Sequence, residues 1–261
     1  MIYKLGRQPR KFNPAVPHMS SLRSLATSIT LPDELNYADG MIPDLGIMLN
    51  DTLGDCTYAG YYHALQLWSF HTNKKDGMIT EVDNDVLSLY QQACGYNPSD
   101  PNTDQGGNEQ DVLSYLLNTG APTGNQQQTR HKLRAFVETD PRIITDLKRG
   151  IYECGVVYLG IDVPTNIVPD NAPSPSVWDY VPNQQIEGGH CIIAVGYQKD
   201  GSLIISSWGQ LYLLTPAFQS HYLDEAYPLC DIDWMDEKGL SLLGMSVKDL
   251  EAQMVYLKKE A

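Results

Sequence analysis

Residues 54–72 read Gly-Asp-Cys-Thr-Tyr-Ala-Gly-Tyr-Tyr-His-Ala-Leu-Gln-Leu-Trp-Ser-Phe-His-Thr, and the reading of this stretch decides the fold. Ala59, Tyr62, His63, Leu67 and Phe70 recur near 3.6-residue spacing, which predicts a buried amphipathic helix beginning at Cys56. Asp55 stands where an N-cap belongs. Upstream, residues 31–55 are broken by Pro, Gly and Asp and predict a long loop. Downstream, helices are expected over about 82–93, over 109–118 with a stop at Gly120, and over 143–154, with a turn-rich loop at 96–107. Then the pattern changes. Residues 156–163, 190–198, 201–208 and 210–215 are short β-branched and aromatic runs bounded by turns, as in an antiparallel sheet or barrel. A last helix is predicted over 246–261. Helices first and strands second predict an α+β chain of two lobes.

Charge divides the chain elsewhere. Of 18 Lys+Arg and 32 Asp+Glu, residues 1–30 hold Lys4, Arg7, Arg10, Lys11 and Arg23 and no acid. A basic arm leads a strongly acidic body. An acidic surface repels a phosphate backbone, so nucleic acid is excluded as partner of the body. No apolar window is long enough to span a membrane. The N-terminus lacks the apolar core of a secretory signal, and five widely spaced cysteines fit reduced thiols, so a cytoplasmic protein is expected. No cysteine pair has zinc-ligand spacing, and neither metal nor cofactor is expected.

Three features carry chemistry. Cys56 at the first turn of a helix sees the positive end of the helix dipole, which favours thiolate, and the backbone N–H groups around it can hold an oxyanion. Gly188-Gly189-His190 opens a strand, where the two glycines leave room for a substrate beside an imidazole. Ser206-Ser207-Trp208-Gly209 lies one hairpin further, where an acceptor can orient the His190 ring and an indole can shield it from water. His63, seven residues after Cys56 on its helix, is expected in the core, and Cys191 on the far side of the strand from His190. Residues 224–239 concentrate acids around Tyr and Trp and read as a solvated acidic face, with no EF-hand spacing. Sixteen tyrosines offer amphipathic contact surface.

In this order the stretches resemble the papain-like cysteine peptidases, and most closely the uncharacterised papain-like proteins of bacteria and phages that also carry Gly-Asp-Cys. Asn50 stands six residues before Cys56, where the family has its oxyanion Gln. Gly189-His190-Cys191 with Val195-Gly196-Tyr197 is similar to the histidine strand, and Ser206 occupies the Asn position of the Asn-Ser-Trp-Gly strand. Residues 31–37 resemble the mature N-terminus, Gly106-Gly107 the glycine pair that binds peptide backbone, and residues 155–162 the first barrel strand. Thr57 replaces the Trp that follows the nucleophile.

The resemblance implies a helical lobe over about 50–150, a barrel-like β lobe over about 151–225, an extension over 226–261, and an active-site cleft between the lobes. It implies a thiol hydrolase in which Cys56 attacks a peptide or amide and His190 shuttles the proton. Asn50 and the Cys56 N–H would hold the oxyanion, Ser206 would orient His190 under Trp208, and Gly106, Gly107, Gly188 and Gly189 would line the cleft. A second reading is a papain-fold structural or binding protein, for instance a phage particle component in the host cytoplasm or virion. A third is an acyltransferase or deamidase with the same dyad. The arm is expected to be retained, lying along its own acidic domain or joining a homo-oligomer or larger assembly. A path through the cleft past Cys56 would instead make it an inhibitor.

Overall fold

Side-chain alternation along the two longest strands divides the molecule. In the computed structural model, which describes residues 3–72, 78–80, 82–124, 129–170 and 172–258, both faces of these strands are buried. Along Val157–Pro164, the residues Val157, Leu159, Ile161 and Val163 enter one core while Tyr158 enters the other. Along Ile186–Tyr197, Ile192 and Ala194 share the first of these cores, and Cys191, Ile193 and Val195 share the second. Successive Cβ atoms point to opposite faces, so a strand apolar at every position must be covered twice. The helix at residues 56–72 and its neighbours cover one face. Trp178, Leu203, Ile205, Phe218 and their neighbours fill the other.

The sheet runs in the order 135–136, 223–230, 157–164, 186–197, 203–207, 210–214, 177–178, and the pair Leu35–Asn36 adds to Ile186–Tyr197. Neighbours are antiparallel except Val177–Trp178, which runs parallel to Gln210–Leu214. The α+β, two-lobe expectation holds. The barrel does not close: among the described residues the strand path is open at both ends. The strand Leu223–Cys230 runs across position 225 and pairs with Val157–Pro164.

Three longer helices build the other lobe, Cys56–Thr72, Asp83–Cys94 and Glu109–Asn118, while Ile144–Cys154 packs on the sheet with Leu147 and Ile151 in the core of Val157 and Leu159. The first departs from its expected single apolar face. Residues 56–68 are all buried, because the sheet packs on one side of the helix and the remaining helices and loops surround it. Gly60 is the closest point, since a Cβ there would sit 3.2 Å from Cys191 Sγ and 3.2 Å from the Tyr158 ring. Asp83–Cys94 stops at Gly95, which takes the left-handed conformation that a side chain resists. The last helix is shorter than expected, Val247–Gln253, and residues 259–261 of the predicted stretch lie outside the described residues. Cys154 and Cys230, distant in sequence, approach to 3.9 Å in the core. No helix among the described residues is long and apolar enough to cross a membrane.

Candidate active site

Cys56 begins its helix, and the Asp55 carbonyl accepts from the Tyr58 and Ala59 amides at 2.8 and 3.0 Å. Asp55 therefore caps through its backbone. Its carboxyl is turned inward instead, fully buried, where Asn50 Nδ2 donates to it at 3.1 Å. Burial holds that carboxyl well above the usual carboxylate range. Asn50 Nδ2 also donates to the Leu53 carbonyl at 3.0 Å and the Lys4 carbonyl at 3.2 Å. The shorter amide thus reaches a carbonyl lying in the cleft, although Asp55 and Leu53 share it. Burial pushes the Cys56 thiol up to about 12, with the charge at Asp55 acting in the same direction. Desolvation outweighs the helix dipole here.

His190 lies on the strand Ile186–Tyr197 and is buried. Its Nε2 is 2.7 Å from Ser207 Oγ. The orienting hydroxyl is thus Ser207, not the expected Ser206, whose buried Oγ has no partner. The pleat explains the correction. Ser206 lies opposite Ile193, on the helix-facing side, so Ser207 falls on the same side as Ile192 and His190. Trp208 stacks on the ring at 4.4 Å and 16° between planes, as the shielding expectation requires, and holds a left-handed φ of 45° to do so. His190 Nδ1 has no hydrogen-bond partner. Burial, then the charges of Arg7 and His63, lower the ring to about 3. Burial thus acts on the two groups in opposite senses, raising the Cys56 thiol and lowering the His190 ring.

The arm lies over both residues. Tyr3 stacks on the outer face of Trp208 at 4.1 Å. Lys4 N donates to the Asn50 carbonyl at 3.0 Å, and the Gly6 amide is within hydrogen-bonding reach of the Cys56 thiol. Arg7 N donates to Gly189 O at 3.0 Å, Gly107 N to Gly6 O at 2.9 Å, and Gln8 N to Gly107 O at 2.9 Å. Residues 3–8 thus lie along the cleft past Cys56, parallel to the chain at Gly107. Gly6 is needed there, since a Cβ would fall 1.9 Å from Gly54 O. Leu5 packs against Gly188, and a Cβ on Gly189 would fall 2.6 Å from Arg7 O. The four predicted cleft glycines all face the arm. A cavity of about 200 Å³ remains beside it, lined by Gln8, Tyr58, Cys94, Gly106, Gly107 and Val112.

All five basic residues of the arm find acids of the body. Lys4 pairs with Asp104, Arg10 with Glu138, Lys11 with Asp111 at 2.5 Å and Arg23 with Asp146 at 2.5 Å. Arg7 pairs with Asp162, Asp224 and Glu225 at 2.8–2.9 Å. The acidic run 224–239 is accordingly not a solvated face throughout: Glu225 and Asp231 are buried, and Asp231 caps the helix Ile232–Lys238 and pairs with His131 at 2.8 Å. His131, Asp231 and Asp233 bring three ligand-type atoms within 4.8 Å of one another. His63 is a core residue, with Nδ1 3.0 Å from Gln66 Oε1. Sequence reasoning missed Ser207, Tyr3, Glu109 and Glu225; residue parity along the hairpin could have found the first.

No protein-family profile and no curated protein sequence matches the chain. Solved structures do. Xylellain, a cysteine protease from Xylella fastidiosa, is similar with a TM-score of 0.66 at 16% identity, over 88% of this chain and 97% of that one. Digestive procathepsin L2 from Tenebrio molitor larval midgut gives 0.60 at 15%, over 88% and 78%. The procathepsin B S9 of Trypanosoma congolense gives 0.59 at 12%, over 88% and 87%. The chain has a papain-like fold.

Proposed function

We propose that the protein is a thiol hydrolase of peptide or amide bonds, kept closed by its own N-terminal arm. The observation that carries this is a groove already holding an extended peptide across a helix-initial cysteine, through four backbone hydrogen bonds on three separate segments. With the arm out, water enters and the burial that raises the Cys56 thiol and lowers the His190 ring is relieved. His190 Nδ1, the ring atom without a partner, then takes the thiol proton. The Cys56 sulfur adds to the substrate carbonyl, and the oxyanion is held by the Cys56 N–H and the Asn50 amide. His190 returns the proton to the leaving amine. Water, deprotonated by the same ring, splits the thioester and frees the acid. Ser207 holds Nε2 throughout, and Trp208 screens that bond. Two of the similar structures are named as pro forms, in keeping with an arm that closes the site.

Iodoacetamide titration over pH 5–9 tests the reading. Gly6→Val should react at neutral pH, and Gly6→Val/His190→Ala should lose that reactivity. If the double variant titrates like the single one, near an ordinary thiol pKa of about 8.5, His190 activates nothing and the hydrolase reading falls. Incubating Gly6→Val with a peptide library, with and without added amine, separates hydrolysis from acyl transfer by the products' masses.

A second reading keeps the arm in place permanently and makes the chain a binding or structural protein. The pairing of all five arm cations favours it. It predicts that no peptide, pH or variant of the arm yields turnover.

A further inference from the structure

Resting on the hydrolase reading, we propose that the cleft contains a preformed arginine pocket, and that peptides with arginine one residue from the scissile position, on the Gly107 side, are the substrates. Arg7 shows the pocket filled. Its guanidinium is buried, with Nη1 donating to Asp224 Oδ2 and Glu225 Oε1, each at 2.8 Å, and Nη2 donating to Asp162 Oδ1 at 2.9 Å. Its backbone amide is bonded to Gly189, next to His190, and its neighbour Gly6 lies over Cys56. The pocket is therefore part of the cleft, one residue from the sulfur.

The walls are built into the scaffold and do not depend on the arm. Glu225, Gly160 and Cys191 lie side by side across three adjacent strands, with Asp162 opposite Gly189 two residues along the same face. Gly160 leaves the space: a Cβ there would be 2.6 Å from Glu225 Cγ, 2.9 Å from Arg7 Cδ and 2.9 Å from Glu109 Oε1. Glu109 comes from the opposite lobe, at the start of the helix Glu109–Asn118. It is fully buried, its carboxyl is raised by that burial, and the Arg7 charge acts against the rise. Four acidic side chains thus lie around one cation, and three of them bond it directly.

Buried acids in this arrangement demand a cation, and the geometry selects which one. Three acceptors approach two different guanidinium nitrogens, which matches the planar fork of arginine; a lysine ammonium is a point charge on a shorter reach. An apolar side chain would leave the acids uncompensated, and sites built to bond a polar group reject analogues that lack it. The arm holds the cleft by the same chemistry that a substrate would use, so arginine peptides compete with Arg7 for the pocket.

The test uses the full chain carrying Gly6→Val, with Arg7→Ala as a second way of emptying the pocket and circular dichroism to verify folding. Peptides identical except for Arg, Lys or norleucine at the proposed position are compared by kcat/KM. Binding of the same fluorescent peptides to the Cys56→Ala/Gly6→Val chain is measured by anisotropy. Arginine should be preferred over norleucine by about a hundredfold in kcat/KM, and Glu225→Gln and Glu109→Gln should each lower that ratio. Cleavage of arginine and norleucine peptides at equal rates would overturn the pocket and leave the hydrolase reading standing. Selective binding of arginine peptides without cleavage would keep the pocket and end the hydrolase reading. Absence of both selective binding and cleavage ends both.

Discussion

Position 206 shows where residue-level reading stops. The motif placed an orienting group at Ser206, and a strand hairpin did return it to the neighbourhood of His190. What the motif could not supply was parity: only the register Ile193↔Ser206 puts Ser207 on the His190 side, at 2.7 Å from Nε2. The helix start at Cys56 was legible because its signal is local, while the strand through His190 begins earlier than the glycine pair suggests, at Ile186. The protonation of Cys56 and His190 was not legible, because burial comes from the whole molecule. Ser207→Ala in the Gly6→Val background should therefore lower kcat by about 10–100-fold, the loss of one hydrogen bond to a charged imidazolium at about 1.5–3 kcal/mol. Ser206→Ala should leave kcat within about twofold, since its hydroxyl has no partner. Equal losses in the two variants, read from steady-state kinetics, would remove the orienting role from Ser207.

At the scale of elements, the arm and the cleft specify each other. The helices and strands were readable from period and turn signals, and the charge split at residue 30 marked the arm as separate. Its route could not be read, because it rests on backbone bonds to Asn50, Gly107 and Gly189 that any sequence could make. The side chains still leave a trace: Gly6 between Gly54 and Gly106, Arg7 in its pocket, Tyr3 on Trp208. Of these, Gly6 cannot be substituted without moving backbone, because a Cβ would come within 1.9 Å of Gly54 O. Gly6→Val should therefore expel residues 3–8 while leaving the two cores intact. Alkylation of Cys56 at pH 7 should rise on the order of a hundredfold as its thiol falls from about 12 toward an ordinary value. Trp208 emission should shift as Tyr3 leaves. A variant that alkylates no faster than the parent chain shows that burial by the body alone, without the arm, silences the thiol.

The whole molecule adds a constraint that no single element carries, because its interior buries ionisable groups of both kinds. Burial raises the carboxyls of Asp55 and Glu109, and it lowers His63 to about 4 and His190 to about 3. The two kinds pull stability in opposite directions with pH. A histidine depressed in the folded state takes up a proton first in the unfolded chain, so its contribution is complete above about 6.5 and drains away as pH falls toward the folded value. A carboxyl raised in the folded state behaves oppositely, and its contribution is lost as pH rises above the unfolded value of about 4. The overall pH profile mixes these effects, but a difference between two chains does not. His63 lies in the core beside Gln66 and takes no part in the cleft hydrogen bonds, so it serves as the probe, with His190 the ring its charge also reaches. The stability gap between the parent chain and His63→Leu should shrink as pH falls from 6.5 to 4, because only the parent has that histidine to protonate on unfolding. Urea midpoints followed by circular dichroism at pH 7, 5.5 and 4.5 measure it. A gap constant across those three values means that His63 titrates alike in both states, and that the centre of the helix Cys56–Thr72 is wetter than its packing implies.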